Sequence, residues 1–356
     1  MPSQFGGLPS GVARVAFALL QRLVERGDHE YVLRSNWSRA DIPAPLVGLK
    51  LLEVPRPRVM IVNVLRQWWT MPALCRRHGI DIIWNIDAFG AARGGRARVT
   101  TIHDLYFETI PGLLGRRAVL TMATCTRLVV GGSQRVVAIS RMTKGDLARL
   151  YPWAASRTVM IPNDTTLVSA GPGHDEIGRP YVLLVGNGTP NKNFGIVVAA
   201  LDRLANRGDR PVLVHVGKDE DGMLDAALRA AVHPPKVISL AGVEECRLSD
   251  LYAHARCLVV PSVSEGFCLP ILEAQSLGCP VIVSSSSVMP EVAGDGALFF
   301  VPDDSEMLAA RLTELFDTPS LRADLILRGK ANRARYSWDK SAASYAELFT
   351  ALLEEC

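Results

Sequence analysis

Five unbroken apolar runs, Tyr181–Gly186, Val212–Gly217, Val237–Gly242, Leu258–Ser262 and Pro280–Ser284, are bounded by Gly, Pro or Ser and separated by stretches of helical spacing. A run without alternation is what a strand buried on both faces requires. Alternation of such strands with helices predicts β-α-β units on a parallel sheet. Shorter runs at Asp81–Asn85, Val99–His103, Val136–Ser140 and Val159–Pro162 repeat the pattern in the first half, and a loop-rich stretch from Pro162 to Pro180 divides the two series. The expectation is an α/β chain of two doubly wound, Rossmann-like domains facing each other across a cleft. Ligands would sit at the carboxyl ends of the strands. A chain of 356 residues is also too long for one ordinary core.

The first half opens differently from the second. Val12, Val15, Ala16, Leu19, Leu20, Leu23 and Val24 recur at helical spacing, with Ser10 placed to cap the helix and Gly27 to end it. The loop ahead of that helix carries Gly6-Gly7, and no apolar strand leads into it. Residues 1–170 hold 22 Lys and Arg against 11 Asp and Glu, a net +11, which leaves −8 for the remainder. A basic half suits an anionic partner. Nucleic acid is disfavoured, because the arginines form no recognisable binding motif and do not interleave with a stacking platform.

Targeting and redox signals are sparse. The longest uncharged stretch beside the apolar runs, Ala274 to Pro290, contains two prolines and five serines and is unsuited to a membrane span. The first residues show no charged n-region followed by an apolar core, so a cytoplasmic location is expected. The seven cysteines are scattered without a C-x-x-C pair, which argues for reduced thiols rather than a disulfide framework or zinc site.

The sharpest local signal is Glu265-Gly266-Phe267-Cys268-Leu269-Pro270-Ile271-Leu272-Glu273, directly after the strand ending at Pro261-Ser262. Pro270 fits the first turn of a helix, which puts Glu265 in the strand-to-helix loop and Glu273 in the first turn. Backbone N–H groups and a helix dipole at such a loop bind phosphate, and carboxylates beside them accept hydrogen bonds from sugar hydroxyls. Read by spacing alone, Glu273 serves equally well as a charge on the helix dipole and Glu265 as a solvated loop residue.

The segment from Glu265 to Gly294 resembles the E-x7-E region of family 4 glycosyltransferases, retaining enzymes of the GT-B fold. Gly6-Gly7 resembles the family's N-terminal diglycine loop, Thr101-Ile102-His103-Asp104-Leu105 its His-Asp loop, and Val137-Ala138-Ile139-Ser140 the strand that ends in serine. Ile161-Pro162-Asn163 resembles the lead into the interdomain linker, and Val185-Gly186 with Asn191-Lys192-Asn193 the V-G-x(n)-R-K-N stretch. The resemblance implies that Glu273 holds the nucleotide ribose, that Glu265 touches the donor sugar, and that Gly266, Phe267 and Cys268 offer backbone N–H groups. Lys192 would meet the diphosphate of the leaving group, and His103 would lie near the anomeric centre. Gly6 and Gly7 would let backbone approach the diphosphate, and Glu291 of Met289-Pro290-Glu291-Val292 would stand close to the donor. Asn187 takes a position where the family often has Arg, and Cys268 one where it more often has Gly.

The resemblance also implies the organisation: residues 1–165 as the acceptor-side domain, 175–335 as the nucleotide-sugar-binding domain, and 336–356 as a helix crossing back to the first. The implied activity is metal-independent transfer of a hexose, mannose favoured through GDP-mannose, to a glycan or polyprenyl-linked acceptor. No cofactor is expected beyond the nucleotide diphosphate sugar itself. Arg56, Arg58, Arg66, Trp68, Trp69, Arg76 and Arg77 mix cations with paired tryptophans, as a contact with the inner face of a membrane would. Three competing readings remain at this level. They are a catalytically degenerate nucleotide-sugar-binding paralogue, a dinucleotide oxidoreductase suggested by Gly186-x-Gly188, and a metal-dependent transferase suggested by Asp219-Glu220-Asp221.

Overall fold

The computed structural model describes residues 11–35, 37–54, 59–167, 173–205, 211–219 and 221–355. Gly6, Gly7 and Ser10 therefore lie outside the described residues. The chain forms two compact units, Met1–Asp164 with Ser337–Cys356, and Thr165–Tyr336.

In the first unit, α1 (Gly11–Arg26) is followed by β1 (Val32–Ser35), β2 (Lys50–Glu53), α2 (Met60–His78), β3 (Ile82–Asn85) and β4 (Ala97–Ile102). After these come α3 (Tyr106–Thr109), α4 (Arg116–Gly132), β5 (Arg135–Ala138), α5 (Arg141–Leu150) and β6 (Thr158–Met160). Gly27, at φ +70°, ends α1, and its N–H bonds the Val24 carbonyl at 3.1 Å. The Ser140 hydroxyl caps α5 by accepting the Thr143 N–H at 3.0 Å. Strands β3-β4-β5-β6 form one parallel sheet in that order, while β1 and β2 form a separate parallel pair.

The second unit carries β7 (Tyr181–Val185), α6 (Phe194–Ala205), β8 (Val212–Val216), α7 (Met223–Ala230), β9 (Val237–Leu240), α8 (Glu245–His254) and β10 (Cys257–Val260). It continues with α9 (Leu269–Ser276), β11 (Val281–Ser284), α10 (Met289–Ala293), β12 (Ala297–Phe300), α11 (Ser305–Asp317) and α12 (Pro319–Arg333). Its six strands are all parallel, in the order β12-β11-β10-β7-β8-β9. The order reverses between β7 and β10, and at such a reversal the loops leaving the two strands diverge to either side and open a crevice. Every residue of β8, β10 and β11 is buried, His215 within the apolar run of β8 included.

The last helix, α13 (Trp338–Glu355), belongs to the first unit and packs along α1. The Tyr345 hydroxyl lies 2.7 Å from Thr101 Oγ1, and the Tyr345 ring stands 5.1 Å from that of Trp84.

Candidate functional site

The loops leaving β7 and β10 carry the motif residues to the reversal point of the second sheet. Gly186, at φ +130°, turns the chain out of β7, and a short 3-10 turn, Pro190–Lys192, leads into α6. Two hydrogen bonds bind this loop to the one after β10: Val263 N–H donates to the Asn191 carbonyl at 2.8 Å, and the Asn191 side-chain amide donates to the Ser264 carbonyl at 3.1 Å. Lys192 and Glu265 meet across the same junction, Nζ to Oε1, at 2.5 Å. The Ser262 hydroxyl donates to the same carboxylate oxygen at 2.8 Å. Both side chains of the ion pair keep 15–20% exposure, so a ligand can reach them. A Cβ on Gly186 would make only ordinary contact, 3.4–3.5 Å, with Cε and Nζ of Lys192, so it is the backbone angle and not the space that calls for glycine.

Cys268 stands at the start of α9 in the left-handed region, φ +66°, which costs an L-residue about 1–2 kcal/mol and explains why glycine suits this position. Burial pushes its thiol well above the usual range, Glu265 and Glu273 add to the rise, and Lys192 opposes it. The thiol thus feels all three charged motif residues, which the fold gathers around it. Phe267 turns its ring inward onto Tyr336, 5.7 Å between centroids, leaving its role to the backbone.

Glu273 differs from the sequence expectation. It is the fifth residue of α9 and so lies in the second turn, not the first. It is also buried, 2% exposed, and accepts the Tyr252 hydroxyl at 2.7 Å. A buried carboxylate held by a buried phenol is not a solvated dipole cap. Burial, and then Glu273 itself, push the Tyr252 hydroxyl well above its ordinary range, so Tyr252 remains a donor. The Asn187 side-chain oxygen accepts the Lys218 N–H at 3.1 Å and so joins the loops after β7 and β8. Glu291 lies in α10, and its carbonyl accepts the Tyr336 hydroxyl at 3.3 Å.

Sequence reasoning missed Tyr252, Ser262 and His215. His215, buried in β8, places Nε2 2.8 Å from the Gly186 carbonyl. A carbonyl only accepts, so Nε2 carries the proton, and Nδ1 is buried without a partner among the described residues. With Gly186 pinned this way across a trans peptide, the Asn187 N–H points away from His215. Asp219, the first acid of the D-x-D spacing, gives its carboxylate to the N–H groups of Leu224 and Asp225 at the start of α7, 3.1 Å each.

In the first unit, His103 follows β4 and lies 2.8 Å, Nε2 to oxygen, from the Ile86 carbonyl. The ring therefore donates at Nε2 and presents Nδ1 as an acceptor. Burial lowers its pKa to about 4, against which the Ile86 bond works only in part, so the ring is neutral at physiological pH. Along α2, the exposed residues Val62, Leu65, Arg66, Trp69, Arg76 and Arg77 recur at helical spacing on one face, and Trp69 is 76% exposed. The next residue in, Trp68, is half-buried beneath the Arg93 guanidinium. Arg56 and Arg58 lie outside the described residues.

Two units with parallel sheets, the second reversing where Lys192 and Glu265 meet, define a two-domain α/β protein. Comparison with known proteins narrows this. A model described as Glycosyltransferase Family 4 matches residues 9–163, and one described as Glycosyl transferases group 1 matches residues 174–332. Between them they take in most of the chain, and the chain belongs to this family of glycosyltransferases. The O-antigen chain mannosyltransferase B of Escherichia coli is 28% identical over 292 residues, covering 78% of this chain and 75% of that protein. Among solved structures, WaaG, a glycosyltransferase involved in lipopolysaccharide biosynthesis, aligns with a TM-score of 0.75 at 18% identity over 96% of each chain. Anabaena Alr3699/HepE, solved in complex with UDP-glucose, aligns with a TM-score of 0.74 at 16% identity over 97% of each chain. The fold is GT-B and the protein is a hexosyltransferase, which sets aside the oxidoreductase reading of Gly186-x-Gly188.

Proposed function

We propose that the protein transfers mannose from GDP-mannose, with retention of configuration and without a metal ion, to a glycan or polyprenyl-linked acceptor at the inner face of a membrane. The observation that carries the reading is the Lys192–Glu265 pair at the reversal of the second sheet. In this reading the ammonium leaves Glu265 for the diphosphate when the donor binds, and Glu265 turns to the hydroxyls of the sugar. Lys192 and the amides of Gly266, Phe267 and Cys268 then meet the charge that develops on the departing diphosphate. Such preorganised donors act where water is excluded and reorganise little as the bond breaks. Glu273 accepts from the ribose diol while Tyr252 holds its other oxygen. Neutral His103 accepts a sugar hydroxyl at Nδ1 and has no proton there to give. Asn187 and Glu291 flank the donor in this reading, and the resemblance adds Gly6 and Gly7, which lie outside the described residues, to its contacts.

Mannose is favoured by the similarity to the O-antigen mannosyltransferase, and the engagement of Asp219 at α7 supports a metal-independent route. The exposed Trp69 with Arg66, Arg76 and Arg77 supports a membrane-side acceptor, and no described helix is long and apolar enough to cross a membrane. A thermal-shift series with GDP, UDP, ADP and their sugars tests the donor: GDP-mannose should stabilise most, and preference for a uridine nucleotide rejects the assignment. Transfer should persist in excess EDTA. Lys192→Ala should lower turnover by about 10²–10³-fold with the fold intact, the usual loss for one such donor; unchanged turnover removes Lys192 from the mechanism.

A further inference from the structure

His215 is a polar residue inside an apolar strand, Val-Leu-Val-His-Val, in which every side chain is buried. A buried ring nitrogen costs stability unless it is hydrogen-bonded, and an aliphatic side chain would fill the same position without that cost. Nδ1 has no partner among the described residues. Nε2 donates to the Gly186 carbonyl at 2.8 Å. The Phe194 ring, at the start of α6, meets the imidazole edge-on with 5.1 Å between centroids. Gly217 leaves room beside the same carbonyl, since a Cβ there would stand 2.1 Å from the Gly186 oxygen. A donor, a neighbouring ring and a missing side chain together hold one peptide unit, Gly186–Asn187.

The orientation of that unit follows from its hydrogen bonds. Gly186 N–H donates to the Val216 carbonyl at 2.9 Å and Gly188 N–H to the Lys218 carbonyl at 2.7 Å, so both face β8 and the loop leaving it. The Gly186 carbonyl, bonded to His215, faces the same way. The Asn187 N–H, trans to that carbonyl, points to the other side of β7, where β10 is the neighbouring strand. Asn187 is exposed, and its N–H meets no acceptor among the described residues. Its side-chain oxygen is turned to the β8 side, where it accepts the Lys218 N–H. Lys192 Nζ lies 3.5 Å from where a Cβ on Gly186 would stand, so the ammonium and the Asn187 N–H flank one glycine.

We propose that His215 is a positioning residue that aims the Asn187 N–H at the diphosphate of the donor, beside the Lys192 ammonium. This rests on the reading above in which Lys192 meets the diphosphate. A backbone N–H has no rotamer to search, and its bond to a charged oxygen is among the stronger hydrogen bonds. At a position where the family often has Arg, this chain thus offers a fixed dipole in place of a second mobile cation.

Gly186–Asn187 is the only Gly-Asn pair in the sequence. Protein isotopically labelled at the glycine carbonyl carbon and the asparagine nitrogen therefore gives one doubly labelled amide signal in nuclear magnetic resonance, and it reports this peptide alone. The nucleoside diphosphate that stabilises the protein most should move the amide proton downfield, and the corresponding free nucleoside should leave it in place. His215→Leu should weaken the diphosphate by about tenfold and the nucleoside by less than about twofold, while His215→Gln, which keeps an N–H donor, should recover most of the loss. The proposal is overturned if the signal stays in place with the diphosphate bound, a result read on the parent whether or not the variants fold. It is equally overturned if His215→Leu binds the diphosphate as tightly as the parent, if it loses nucleoside and diphosphate affinity by the same factor, or if His215→Gln falls as far. A parent that binds no nucleoside diphosphate rejects the donor reading itself, and this proposal with it.

Discussion

Tyr252 shows how a single side chain can set the chemistry of another. Its hydroxyl and the Glu273 carboxylate are both buried and bonded at 2.7 Å, so removing the donor leaves a carboxylate oxygen with less compensation than its burial demands. That loss is worth about 1–3 kcal/mol. Tyr252→Phe should therefore weaken binding of the free nucleoside diphosphate by about fivefold or more, with little change in turnover at saturating donor. Titration calorimetry checks it, and equal affinity in variant and parent removes Tyr252 from the ribose site. His103 offers a test of a different kind. Its pKa of about 4 lies below the ordinary 6.5, so the folded protein holds the neutral ring. Above pH 6.5 the ring is neutral folded or unfolded, and the contribution is fully present. As pH falls from 6.5 toward 4 the unfolded chain takes up a proton that the folded chain refuses, and stability drains away. Melting of the parent and of His103→Gln at pH 7 and pH 5 should show the variant losing less on acidification.

At the scale of elements, what could be read from the sequence followed from how completely each element is buried. The runs that became β7, β8, β10 and β11 stand out because both faces are covered, and β9 was marked by its flanking turns. Strands β1, β2 and β12 escaped notice for the opposite reason. Val-Leu-Arg-Ser and Lys-Leu-Leu-Glu are four residues long, half-exposed and interrupted by charge, and Ala-Leu-Phe-Phe is an equally short edge strand. The site divides in the same manner. Glu265, Cys268 and Glu273 share one local motif and could be read together, whereas Tyr252 and His215 reach Glu273 and Gly186 from 21 and 29 residues away, and no local spacing marks such a pair. Helix α2 carries its own prediction. With Leu65 and Trp69 exposed beside Arg66, the double change Leu65→Ser with Trp69→Ser should reduce flotation with vesicles containing anionic phosphatidylglycerol, while melting stays within about 2 °C of the parent. Equal flotation of both proteins excludes this face from the membrane contact.

Across the whole molecule, the basic and acidic halves of the sequence fall almost entirely into different units, because the division near residue 165 in the chain is also a division in space. The exception is α13, which leaves the second unit behind and completes the first. Its Tyr345 and Phe349 rings lie on Trp84, and its Ser341 hydroxyl donates to the Pro162 carbonyl at 2.7 Å. A stop codon after Tyr336 should therefore lower the melting temperature of the first unit and spare the second. Two calorimetric transitions, one shifted and one in place, are the expected record. During synthesis the same arrangement imposes a schedule. The ribosome releases everything the second unit needs before it delivers the piece that seals the first. The earlier-made unit must wait, with the α13-binding surface of α1 and Trp84 uncovered, until residues 337–356 emerge.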